Sequence, residues 1–166
     1  MDENVVTTLN ALIDICLDNR RAYSLEAECA SNGRVSCLLE DMALHYGKQA
    51  GQLDSVLLQV GVNPLHVSPR RLGGPRWAGL HDAIVQENMT RAMRSLEETE
   101  CCTLVSYEIA LRSTHLPSAI RVILGRQYSR MENALSLLRM FPTSPRQVSG
   151  SDPKAVNVKS LALVRL

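Results

Sequence analysis

Glu100 is the residue whose type and position ask for chemistry. It lies in the stretch Met89 to Leu111, where Met89, Met93, Leu96, Glu100, Leu104, Tyr107 and Leu111 recur at steps of four and three. At about 100° per residue these share one arc of a helix, with Arg91, Arg94, Glu98 and Cys102 on the other side. A carboxylate in the middle of an apolar stripe must find a partner, a proton or a cation, because burying it alone is costly. Counting helical rise sets its neighbours. If this helix runs parallel to the second helix of the chain, His45 lies at the height of Glu100; if antiparallel, Gln49 does. The spacing therefore predicts a small buried polar layer of Glu100 with His45 or Gln49, and with Gln127 about one turn away. Such a layer can be a hydrogen-bonded device that sets helix register. The competing reading is a single adventitious metal ion at Glu100 and His45.

A dinuclear metal centre in a helix bundle makes stricter demands. It takes a Glu from each of two helices and Glu-x-x-His from each of the other two, because residues i and i+3 share a face and can clasp both ions. No E-x-x-H occurs: Met42, Asn63, Ala78 and Arg112 stand three positions before His45, His66, His81 and His115. Glu132 is followed by Leu135 where the His would stand and faces away from the core, and Glu28 faces a flank. The expectation is a protein that is not an enzyme and has no cofactor, with iron or manganese as the alternative. No Gly-rich phosphate loop precedes a Lys, no Ser/His/Asp spacing suggests a triad, and Arg70, Arg71 and Arg76 read as a solvated connection. The five cysteines show no C-x-x-C spacing and read as free thiols, although Cys29 and Cys37 fall at similar heights beside the first turn.

Composition narrows the class. With 18 basic and 17 acidic residues in 166, the net charge of +1 creates no field that would collect nucleic acid. One Phe, one Trp and four Tyr stand against many Leu, Val, Ala, Ile and Met, which suits helices better than sheets. Asp2 and Glu3 occupy the place where a signal peptide carries positive charge, and no apolar run reaches membrane-spanning length. A cytoplasmic location without membrane contact is expected.

The elements that position Glu100 follow from periodicity and punctuation. A first helix is expected over Asn4–Ala30, with Val5, Leu9, Leu12, Cys16, Tyr23, Ala27 and Ala30 on one face, stopped by Ser31, Asn32 and Gly33. A second, over Val35–Val60, presents Leu38, Leu39, Met42, Tyr46, Gln49, Leu53, Val56, Leu57 and Val60 inward, with His45 at the edge of that face. So short a turn makes the two antiparallel neighbours. The segment from Gly61 to Pro75 extends to about 45 Å, enough to cross a bundle whose helices are about 40 Å long. The third long helix can then run parallel to the second. A short helix over Arg76–Gln86 carries Trp77, Leu80 and Ile84 and leads, through a break near Asn88, into Met89–Leu111. Leu116 and Pro117 mark a turn before Ser118–Met140, which points Ile120, Ile123, Leu124, Gln127, Met131, Ala134, Leu135 and Leu138 inward. The hydroxyl of Tyr107 is expected to reach the bundle edge.

Several of these residues form a recognisable pattern. LNALIDICLDNRRAY (Leu9 to Tyr23), the G-x-x-P of Gly61 to Pro64, Trp77, Glu97-x-x-Glu100 and Tyr107-x-x-x-Leu111 resemble a bacterial four-helix-bundle family of unknown function in the ferritin-like superfamily. The resemblance covers Val5 to Phe141, and departs where Cys101, Cys102 and Leu135 replace more polar residues. It implies an all-α, ferritin-like four-helix bundle with a long crossover connection containing a short helix. It also implies a non-enzymatic structural, stress-associated or protein-interaction role. The alternative is a metal-binding or metal-storage protein, or a di-metal oxidoreductase of the ferritin-like type. Residues 1–141 would form the bundle and 142–166 a loosely ordered linker and tail. A homo-oligomer and a protein partner bound through that tail are the partners to expect.

Overall fold

The computed structural model describes residues 2–64 and 75–140, and within them the chain is all-α. Five helices follow in order: α1 (Glu3–Cys29), α2 (Gly33–Gln59), α3 (Pro75–Val85), α4 (Met89–Arg112) and α5 (Ser118–Arg139). The crossover expected between α2 and α3 falls mostly on residues 65–74, and the proposed tail on 142–166; both lie outside the described residues.

Local chemistry sets the helix ends. Asp2 caps α1 by accepting from the Asn4 amide at 2.9 Å, and Asn32 caps α2 by accepting from the amides of Arg34 and Val35. These side-chain oxygens satisfy amides that have no partner inside the first turn. At the end of α2 the Val62 amide bonds the Leu57 carbonyl and the Gly61 amide that of Leu58, with Gly61 at φ 74°. That pair of bonds is a Schellman ending, and it needs a residue in the left-handed region.

The corner between α3 and α4 repeats the device with an unusual residue. The Asn88 amide bonds Ala83, the Glu87 amide bonds Ile84, and Glu87 takes the left-handed position at φ 54°. Asn88 then caps α4 through the Arg91 amide, so one residue closes the first helix and opens the next. Glu87 accepts from Ser31 Oγ at 2.6 Å, tying this corner to the α1–α2 turn. The end of α4 is covered by the Arg121 guanidinium, which donates to the carbonyls of Leu111 and Ser113.

Cross-helix bonds fix the directions. Tyr23, Asn19 and Cys16 of α1 meet Glu100, Thr103 and Tyr107 of α4 in that order, so α1 and α4 are antiparallel. On α2, Tyr46 meets Glu100, and Gln49 lies beside the Cys16–Tyr107 pair, so α2 and α4 run parallel. Gln127 of α5 bonds Tyr107, while Arg139 lies 3.8 Å from Glu97, so α5 returns antiparallel to α4.

The four long helices share one core. Val5, Leu9, Leu12 and Ile13 of α1 pack with Leu39, Leu53 and Leu57 of α2, Met93 and Leu96 of α4, and Leu124, Met131 and Leu138 of α5. The short α3 adds Leu80, Ala83 and Ile84 and sets the Trp77 ring edge-on to Tyr23, centroids 5.4 Å apart. The expected inward faces hold, with two corrections. Val60 is about half exposed, because α2 has ended at Gln59 and the chain turns away there. Tyr107 packs inward as expected, but its hydroxyl stays in the interior, where it finds polar partners, and does not reach the bundle edge. Among the described residues no helix is long and apolar enough to cross a membrane.

Candidate functional site

Glu100 is 2 % exposed and sits where α1, α2 and α4 converge. Tyr23 donates to its Oε1 at 2.7 Å and Tyr46 to its Oε2 at 2.8 Å. Both oxygens thus act as acceptors, which is the role of an ionised carboxylate. Charge-assisted O–H···O bonds of this length are stronger than neutral ones. The two phenol rings lie 5.8 Å apart and close over the carboxylate from the two arms of the α1–α2 hairpin.

The polar contacts continue along the interior. One turn further down α1, Asn19 Nδ2 donates to Thr103 Oγ1 at 2.9 Å, and Thr103 donates in turn to the Thr99 carbonyl. A turn beyond that, Tyr107 donates to Gln127 Oε1 at 2.9 Å, and Cys16 Sγ lies 3.3 Å from the same hydroxyl. The Tyr107 proton goes to Gln127, and the Cys16 thiol lies 3.7 Å from Gln49 Oε1, to which it donates. Gln127 Nε2 donates to the Gln49 carbonyl and to Gln52 Oε1, and Gln49 Nε2 lies 2.7 Å from His45 Nε2. The ladder therefore draws on all four long helices.

Burial sets the protonation of its members. It pushes the Cys16 thiol up to about 12, against an opposing pull from the Tyr107 hydrogen bond. It raises Tyr46 and Tyr107 well above the usual phenol range, assisted by the charge of Glu100 at Tyr46 and by Cys16 at Tyr107. The phenols of Tyr46 and Tyr107 and the Cys16 thiol stay protonated, neither nucleophiles nor bases. His45 is shifted the other way, first by burial and then by the positive charges of Arg130 and Lys48, which favours the neutral ring. A neutral Nε2 without its proton can accept from Gln49.

The expected pairing of Glu100 with His45 is not how the side chains are arranged. The parallel course of α2 and α4 does bring the His45 level to Glu100, but the side chain that reaches the carboxylate is the next one, Tyr46. His45 stands about 100° round the helix at the edge of the buried face and turns to Gln49 instead. Gln127 joins the interior ladder through Tyr107, and Met131, one turn along α5 from it, lies 3.9 Å from the Tyr46 hydroxyl that meets Glu100. Tyr23 and Tyr46 carried the right signal, two tyrosines on inward faces, but periodicity marks such residues only as core.

A second group of polar side chains lies at the end of the bundle that holds the α1–α2 turn. His81 Nδ1 of α3 is 3.1 Å from Glu26 Oε2 of α1, and Cys29 Sγ joins them, with the ligand atoms of the three within 4.8 Å of one another. Glu26 is buried; Cys29 and His81 are exposed. Glu26 and Cys29 stand at i and i+3, a spacing that the sequence reading passed over, and nothing in the sequence placed His81 against them. Cys29 and Cys37 are both free thiols.

Two grooves flank Arg20 and Ser24 on the outer side of α1 and α2, lined by Leu17, Leu25, Leu44, Gly47 and Lys48, and neither opens onto Glu100. Arg20 lies across Gly47, where an added Cβ would come within 3.2 Å of its Cδ. Compared with family models, curated proteins and solved structures, the chain matches none of them.

Proposed function

We propose that this chain is a ferritin-like helical bundle with a non-enzymatic structural, stress-associated or protein-interaction role, and that its interior polar ladder serves to fix helix register. The carrying observation is the carboxylate of Glu100, held between the hydroxyls of Tyr23 and Tyr46. A catalytic carboxylate needs a face open to substrate or to an ion. Here both oxygens accept hydrogen bonds from side chains of other helices, and Glu100 is sealed from solvent. The parallel pair α2 and α4, with α1 and α5 antiparallel to them, is the arrangement of a bundle with one long crossover, as in ferritin-like folds. Buried, directional contacts of this type penalise helices that slip by a turn, because slippage strands polar groups in the core. Self-association through a helix flank and docking of a protein partner, in the cytoplasm, belong to the same reading.

Metal analysis of protein purified without chelators tests it. Expected is a Glu100→Gln variant that folds and keeps the oligomeric state of the parent, with no iron or manganese lost relative to it. Stoichiometric iron or manganese in the parent that disappears in Glu100→Ala and Glu100→Gln would replace the structural reading with that of a metal-dependent protein.

A further inference from the structure

The corner where α1 ends against α3 has a donor set that the polar ladder does not use. Glu26 and Cys29 are i and i+3 in the last turn of α1, so both project to one side, and α3 brings His81 to the same side. One oxygen, one sulfur and one ring nitrogen lie within 4.8 Å of one another, and the Glu26–His81 distance is already 3.1 Å. Bond lengths of about 2.0–2.3 Å in a tetrahedral zinc site place ligand atoms about 3.3–3.8 Å apart. Cys29 and His81 are exposed, so their side chains have room to rotate toward that spacing.

Electrostatics favours a cation at this corner. The last turn of α1 contains no basic residue, yet it carries Glu26 and Cys29 at the negative end of the helix dipole. Glu26 is 7 % exposed, so its charge is poorly solvated. A positive charge beside Glu26 offsets that desolvation. A metal ion bound to all three donors would supply it.

We infer that Glu26, Cys29 and His81 form a three-ligand site for a borderline divalent transition metal, zinc being the best fit, with water at the fourth position. The mixed O, S and N donors disfavour calcium and magnesium, which take oxygen ligands. Zinc accepts all three, and its remaining position faces solvent, because Cys29 and His81 are exposed. Binding displaces the proton of the Cys29 thiol to solvent and requires the neutral His81 ring. The ion would clamp the end of α1 to α3, beside the Ser31–Glu87 bond that already joins the two corners. This site lies apart from Glu100, so its failure would leave the register ladder as it stands.

Cobalt titration of the full, reduced chain tests the site, because four-coordinate cobalt bound to a thiolate absorbs in both the near-ultraviolet and the visible. One equivalent per chain is expected to bind, to be displaced by zinc, and to raise the melting temperature. Cys29→Ser should abolish the near-ultraviolet thiolate band, and His81→Ala should weaken binding by more than about tenfold. Cys37→Ser and Cys102→Ser, which alter exposed thiols elsewhere, should change neither reading. Far-ultraviolet circular dichroism verifies that each variant is folded; both Cys29 and His81 are exposed, so their replacement leaves the core intact. A spectrum that persists in Cys29→Ser, one lost in Cys37→Ser, or no thiolate band at any cobalt concentration up to the millimolar range would overturn the assignment.

Discussion

Tyr46 donates a 2.8 Å hydrogen bond to Oε2 of Glu100, joining the middle of α2 to the middle of α4 across the core. With the matching bond from Tyr23, it makes the carboxylate the meeting point of three helices. Tyr46→Phe removes one donor and keeps the ring, so it should destabilise the fold by about 1.5–3 kcal/mol, the range for hydrogen bonds to charged groups. Glu100→Ala strands two buried hydroxyls and opens a cavity, and should cost more, about 3–5 kcal/mol. Glu100→Gln keeps an acceptor for one tyrosine and should fall between the parent and Glu100→Ala. Urea unfolding of the four proteins gives the order; equal stability of Tyr46→Phe and the parent would show that the bond contributes nothing.

Cys16 should be inert in the folded protein. It is fully buried, and its thiol is pushed up to about 12, so almost no thiolate exists near neutral pH. Cys29, Cys37 and Cys102 are exposed and should react with iodoacetamide at pH 8 within minutes, while Cys16 should label only after unfolding. Peptide mapping by mass spectrometry reads each site separately. Labelling of Cys16 at the rate of Cys37 in the native state would contradict its placement.

His45 predicts a pH dependence of definite sign. Its folded pKa is depressed below 6.5, so the folded protein binds a proton there less readily than the unfolded chain. Its contribution to stability is complete above about pH 6.5 and declines as the pH falls toward the depressed folded value. A protonated ring would also set a donor against the Gln49 amide, which now donates to it. His45→Gln offers Gln49 an acceptor that does not titrate, so its stability should fall less than the parent's between pH 7 and pH 5. Parallel denaturation series at several pH values would reveal the difference, and identical profiles would rule out His45 as a source.

Two left-handed positions should respond oppositely to substitution. At Gly61 an added Cβ meets nothing within 4 Å, but φ 74° strains any L residue, so Gly61→Ala should lose about 1 kcal/mol. At Glu87, φ 54° already carries that strain, and Glu87→Gly relieves it at the loss of an exposed bond from Ser31. The net should be a gain of up to about 1 kcal/mol, seen as a higher melting temperature. Gly51 offers a control in the exposed interior of α2, where Gly51→Ala should gain about 0.5–1 kcal/mol from helix propensity alone.

The helices and their inward faces were written in the sequence, because both follow from properties of single residues and their neighbours. Side-chain angle repeats every 3.6 residues, so Met93, Leu96, Glu100 and Tyr107 identify the buried arc of α4 without reference to any other helix. Asn32, Gly61 and Asn88 mark helix ends because caps and left-handed turns are local. That Glu100 must have polar company followed from desolvation alone. Which company it keeps did not, because a helical wheel records direction and height but not how far a side chain reaches into the space between helices. Tyr23 and Tyr46 read as core residues, and only the packed arrangement shows their hydroxyls meeting on one carboxylate. Likewise, the i and i+3 spacing of Glu26 and Cys29 drew no notice as a pair of ligands, because the approach of His81 depends on how α3 docks against α1. Distances between residues far apart in the chain are set by many packing contacts together, and no short stretch of sequence contains them.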